Sequence, residues 1–256
     1  MKTHLSKIAG AFALAAAVAT AAPSARAGFD DNLYQWGHAD IQVGYDGTSL
    51  GLSYKLAGTA GVNGSPVGGS GAEFGPADLS VVVPELALGT GHASLPSPFA
   101  GAPLYLINQN AQGSATRPFL GFGAEGIGPG LFVGDELSIS LTGFSTTADG
   151  GQFVLFQNGF WSSPAMNSAD GFSDDTISVY PLGHDHYNWG FTAAGVYDLV
   201  FTATGMPIGG TELTTTATFR FVVGDQPAAV PEPSALAMAG LAVGCGALVA
   251  ARRRRA

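Results

Sequence analysis

Residues 38–56, HADIQVGYDGTSLGLSYKL, alternate polar and apolar side chains through two runs separated by a turn. Side chains of an extended chain point to opposite faces in turn. Ala39, Ile41, Val43 and Tyr45 therefore share one face, and His38, Asp40 and Gln42 share the other. Asp46-Gly47 is a hairpin turn pair, after which Leu50, Leu52, Tyr54 and Leu56 line a second strand. A period of two over both runs predicts a β-hairpin with one face in a core.

The same texture extends outward. A Gly/Ser-rich flexible loop is expected over 58–75, a buried strand over 79–83, and mostly loop over 84–103. Short strands are predicted near 104–107, 119–122, 136–141 and 153–157, with an acidic loop over 167–175. Residues 177–191 read as extended, 193–195 as a turn, and 196–203 as the return. Tyr187, Trp189 and Phe191 would then meet Tyr197, Leu199 and Phe201 in one cross-strand aromatic layer. A last strand should turn Leu213, Thr215, Ala217, Phe219 and Phe221 inward, with Thr214, Thr216, Thr218 and Arg220 outward. Many short strands and no helical periodicity predict an all-β domain over 28–225, a two-sheet β-sandwich of Ig-like or jelly-roll type.

The chain's ends differ from its middle. Lys2 and Lys7, the apolar run 8–22 and Ala25-Arg26-Ala27 form a secretory signal peptide over residues 1–27. At the other end Pro231-Glu232-Pro233, in a linker over 226–233, precedes an uncharged apolar stretch, 234–251, which is predicted to be a transmembrane helix. Arg252, Arg253, Arg254 and Arg255 follow in a basic tail, 252–256, and would stay cytoplasmic, so the body faces outward. Between the two ends eighteen acids face three bases (Lys55, Arg117 and Arg220), a net charge of −15. That excludes nucleic acid, which requires a basic footprint, and permits a cation. The one cysteine, Cys245, lies in the C-terminal apolar stretch, so the body has no disulfide and depends on core burial.

The histidines carry the chemical signal. His184 and His186 flank Asp185 and would project from one strand face, with Cα atoms about 6.6 Å apart. Two imidazoles at that spacing can converge on one ion. His38 and Asp40 repeat the geometry. If folding joins the pairs, three imidazoles and a carboxylate suit Zn²⁺ in a tetrahedral site. His92 reads as a solvated loop residue, and Trp36, Tyr187 and Trp189 as core. Asp170, Asp174 and Asp175 offer oxygen ligands for Ca²⁺ but lack EF-hand spacing, so a solvated acidic loop is expected. No His-Glu-x-x-His pair or P-loop is present, and no enzyme activity is expected.

The order Pro231-Glu232-Pro233, apolar stretch, arginine cluster resembles the PEP-CTERM sorting signal. That resemblance implies processing by an exosortase, with release to the cell surface or the exopolysaccharide matrix. Gly183-His184-Asp185-His186-Tyr187-Asn188-Trp189, then Phe191-Thr192 and Gly195-Val196-Tyr197, resemble the signature of the choice-of-anchor M (actinobacterial surface-anchored) domain family. Gly37-His38-Ala39-Asp40 is similar to that family's opening motif, and Phe119-Leu120-Gly121-Phe122-Gly123-Ala124-Glu125 to its middle one. Ala194 stands where the family has proline. The resemblance extends to PEP-CTERM proteins repressed by the zinc-uptake regulator. It implies an extracytoplasmic zinc-linked role beside a metal uptake system, with Glu125 competing with Asp40 as fourth ligand. The rival expectation is a structural or adhesive matrix protein, carbohydrate-binding or not, in which the histidines are incidental.

Overall fold

The computed structural model describes residues 32–224. The predicted signal peptide, linker, sorting helix and basic tail lie outside the described residues. Seventeen strands follow in chain order: β1 (Leu33–Tyr45), β2 (Leu50–Leu56), β3 (Gly61–Val62), β4 (Ser65–Pro66), β5 (Ala72–Phe74), β6 (Ser80–Val83), β7 (Leu88–Thr90), β8 (Pro103–Ile107), β9 (Pro118–Gly123), β10 (Phe132–Thr146), β11 (Phe153–Phe156), β12 (Met166–Asn167), β13 (Thr176–Val179), β14 (His184–His186), β15 (Asn188–Phe191), β16 (Gly195–Pro207) and β17 (Leu213–Val223). The only helical element among the described residues is a three-residue 3-10 turn, Glu85–Ala87. The fold is all-β, as expected.

The strands form two sheets. The larger runs β13-β10-β16-β17-β6-β1-β2-β5, with β9 pairing on β1, β14 on β9, β3 on β1 and β4 on β3. The smaller runs β12-β11-β15-β8-β7. The hairpin of residues 38–56 forms in the expected register, Ala39 opposite Leu56 through Tyr45 opposite Leu50. Asp46 closes its turn by accepting the N–H groups of Thr48 and Ser49, both at 2.8 Å, an Asx turn.

β1 changes partners along its length. Leu33 and Tyr34 run parallel to β6, whereas residues 37–42 run parallel to β9. The change falls at Gly37, whose φ of +87° belongs to the left-handed region. A Cβ there would sit 2.8 Å from the Ala60 Cα, so the bend requires glycine. Tyr34 braces it, donating its hydroxyl to the Gly37 carbonyl (2.5 Å) and accepting the Phe119 N–H (3.1 Å).

Four expectations are corrected. Residues 58–75 carry short ladders, β3 with β4 and β5 with β2, rather than a bare loop. Residues 177–191 are three strands in place of one. Pro181 lacks an N–H to continue a ladder, Leu182 has φ +63°, and Gly183 closes a turn onto the Tyr180 carbonyl at 3.0 Å. After that break β14 joins β9 and β15 joins the smaller sheet. The aromatic layer is therefore packed between sheets rather than across one pair of strands: Phe191 meets Tyr197 at 5.0 Å and Trp189 meets Phe201 at 6.1 Å, both edge-on. Arg220 is on the expected face of β17 but is buried, its guanidinium bidentate on Asp198 at 2.7 and 2.8 Å.

Trp189 is the centre of this packing. Its ring stacks on Phe122 (5.0 Å) and Phe221 (5.3 Å), and its Nε1–H donates to the buried Leu120 carbonyl at 3.0 Å. It thus ties β15 of one sheet to β9 of the other. Replacing Trp189 with Ala should cost about 3–5 kcal/mol of unfolding free energy in urea titration, with a smaller loss for Trp189→Phe. A loss below about 1 kcal/mol for Trp189→Ala would contradict this role.

Candidate metal centre

Three adjacent strands build the site. β9 lies in the middle, parallel to β1 and antiparallel to β14. The registers place His38 opposite Phe119, Asp40 opposite Gly121, His186 opposite Gly121, and His184 opposite Gly123. All these residues face one side of the three strands. The middle strand contributes only hydrogen at two of its three positions there, and its other face sends Leu120 and Phe122 into the core. A Cβ on Gly121 would stand 2.5 Å from the Asp40 Oδ1 and 3.1 Å from the His186 Cε1. The flanking side chains lean into the space that Gly121 leaves.

That convergence joins chain segments 148 residues apart. The Nε2 atoms of His38 and His186 are 3.1 Å apart; Asp40 Oδ2 is 3.4 Å from His38 Nε2, and Asp40 Oδ1 is 3.8 Å from His186 Nε2. One donor atom from each of His38, His184 and His186 falls within a 4.8 Å cluster, and Asp40, Glu125 and His184 form a second such cluster. Donors about 2.0–2.1 Å from a tetrahedral zinc ion are about 3.3 Å from one another. The observed spacings bracket that edge, so the residues fit the ion. Asp40 Oδ1 is also a buried oxygen with no hydrogen-bond partner among the described residues, which a cation would satisfy.

Burial sets the charges. Desolvation pulls the His186 pKa down to about 4, helped by His38 and His184 beside it, while the Leu120 backbone and Glu125 oppose the shift. Desolvation and His184 likewise lower that of His38. These imidazoles are held neutral, the form that binds metal. Asp40, only 2% exposed, is pushed up to about 7 by desolvation, and by Glu125 against the opposing His184 and Lys55. Phe119 stacks flat on His186, with centroids 3.6 Å apart and planes 6° from parallel, which fixes the ring.

Glu125 has a different posture. Its Oε1 is 2.8 Å from His184 Nδ1, and its Oε2 accepts from Lys55 Nζ at 2.7 Å. The Lys55 hydrogen bond holds its carboxyl below the usual carboxylate range, so it is ionised and can only accept. His184 therefore carries its proton on Nδ1 and keeps a lone pair on Nε2. The Gln42 amide, oriented with its oxygen toward the Glu125 and Ala124 N–H groups (2.5 and 3.3 Å), holds the Glu125 turn in place.

All five residues expected at a metal, His38, Asp40, Glu125, His184 and His186, are thus neighbours. Asp185 is not among them; it is exposed on the opposite face of β14. His92 lies elsewhere, stacked on Trp161 at 3.8 Å. Asp170 and Asp175 bind Asn167, by its side-chain amide and its backbone N–H, and form no candidate metal cluster among the described residues. Sequence reading missed Lys55, Gln42 and the role of Gly121. The Gly-x-Gly alternation of β9 was a legible sign of the last, since glycine at alternate positions empties one strand face. Comparison with protein-family models, with curated proteins and with solved structures found no match.

The opposed shifts yield a pH prediction for the metal-free protein. Between about pH 4 and 6.5 folded His186 lacks a proton that the unfolded chain takes up, and the lowered pKa of His38 acts in the same direction, so both make stability fall as pH falls. Over most of that window folded Asp40 keeps a proton that the unfolded chain releases, which gives the opposite slope. Asp40→Asn should therefore lose stability more steeply than wild type on acidification through this window. Urea midpoints in a chelating buffer measure it, and superimposable profiles would refute the charge assignment.

Proposed function

We propose that this chain is an exported, surface-anchored zinc-binding protein that captures zinc outside the inner membrane and hands it to a metal uptake system when zinc is scarce. His38, His184 and His186 supply imidazole nitrogens, and Asp40 the carboxylate. Glu125, the competing ligand, orients His184 in the arrangement described above. The observation that carries this reading is the convergence of two distant histidine-bearing segments on the gap over Gly121, at tetrahedral donor spacings. The all-β body suits a β-sandwich surface module of Ig-like or jelly-roll kind, although fold alone assigns no function. Export by the N-terminal signal, sorting by an exosortase, and the link to zinc uptake rest on the resemblance to PEP-CTERM and choice-of-anchor M sequences.

A structural role in the exopolysaccharide matrix is the second reading. One observation favours it: on the outer face of the larger sheet, hydroxyls link across strands, Ser140 to Thr176 (2.7 Å), Thr142 to Thr202 (2.8 Å) and Thr202 to Thr216 (2.9 Å). Such a hydroxyl-rich face suits a polysaccharide.

Metal analysis separates the two. The purified chain, dialysed against zinc and then buffer, should retain about one ion, and His184→Ala with His186→Ala should abolish it. A chelator should lower the melting temperature of the loaded wild type, because a ligand that binds only the folded state stabilises it. Equal zinc content in wild type and double variant would leave the matrix reading.

A further inference from the structure

The three histidines do not open onto bulk solvent alone. They line a cleft of about 730 Å³, the size of a small-molecule site. Its remaining wall includes Trp36, Thr59, Phe119 and the 112–115 segment. Asp40 is buried and does not line it, so a zinc ion in the cluster would have Asp40 on its buried side and the cleft on the other. A single ion fills little of such a volume.

The wall chemistry narrows the rest. Among the lining residues none is Asp, Glu, Lys or Arg, so no side chain there can pair with a ligand's charge. A zinc ion held by neutral imidazoles and the Asp40 carboxylate carries one net positive charge, which one anionic donor would cancel. The wall also holds an aromatic platform. The Trp36 ring is seated on Gly61, where a Cβ would lie 2.0 Å from the indole Cε2. A flat ring backed by glycine is positioned to stack with another ring. Thr59 and Gln112, both exposed, add hydroxyl and amide groups.

We infer that this cleft binds a small amino-carboxylate chelator bearing a ring, of which free histidine is the simplest case, as a ternary complex with the zinc ion. The inference rests on the zinc-binding reading. The chelator's carboxylate would add a fifth donor to the zinc ion on the side opposite Asp40 and supply the negative charge there, and Trp36 and Gln112 contact the remainder. A site that admits ion and chelator together avoids stripping the ion first.

Equilibrium dialysis of the full chain with labelled L-histidine, with and without one equivalent of zinc, tests this. Histidine should be retained by the zinc-loaded protein only. Ala115→Trp fills the cleft at an exposed position; it should weaken histidine retention about tenfold or more and leave zinc content unchanged. N-acetyl-histidinamide, which has the ring without the carboxylate, should not be retained. Zinc binding with no histidine retention, or equal retention by Ala115→Trp, overturns the ternary site and leaves the zinc reading standing. Equal retention of N-acetyl-histidinamide assigns the cleft to a peptide-borne histidine and overturns the free chelator. Failure of the wild type to bind zinc overturns both.

Discussion

At Gly121 the backbone itself forms the floor of the histidine cluster, and the site depends on nothing projecting from it. Strands in a sheet lie about 4.8 Å apart, so side chains on the two strands that flank a third are normally separated by that third strand's own side chain. Here β9 places only a hydrogen between Asp40 on β1 and His186 on β14, and the two lean inward until their donor atoms are 3.8 Å apart. The core side of the same strand is unremarkable: Leu120 and Phe122 pack as any buried strand would. One face of β9 holds the fold together and the other is left open for chemistry.

Without a cation the site is costly to maintain. Asp40 is nearly inaccessible and keeps a proton up to about neutral pH, and His186 stays neutral far below its ordinary range. Burying groups that oppose their own ionisation is typical of places where function overrides stability. Two supports hold the arrangement rigid. Phe119 fixes the plane of His186 from below, and the Lys55–Glu125–His184 chain fixes the tautomer of the outermost imidazole. Both originate in residues on β9, on its following turn, or on β2, so the site is carried by the sheet rather than by a loop.

The contrast between the buried and the open sides gives the site a direction. Asp40 and the glycine floor close it from within. The histidines are graded outward, with side-chain exposures of 12% for His186, 32% for His38 and 35% for His184. That gradient suits an ion entering and leaving through the cleft. The uncharged cleft wall would then act on what accompanies the ion, while the ligands act on the ion itself.

Much of this was legible in the chain. Period-two alternation determined the 38–56 hairpin, the strand character of the body and the shared face of His184 with His186, because strand geometry is local. The candidate ligands were legible too, since they sit in short runs whose parity is set by neighbours. What the linear order could not contain was which strands would lie side by side. The break at Pro181-Leu182-Gly183 sends β14 to β9 and β15 to the other sheet, turning an apparent hairpin of aromatics into contacts between layers. Only that rearrangement, with the parallel pairing of β1 and β9, brings residues 148 positions apart together over a glycine. Long-range pairing is decided by the packing of the whole core around Trp189, and no local pattern encodes it.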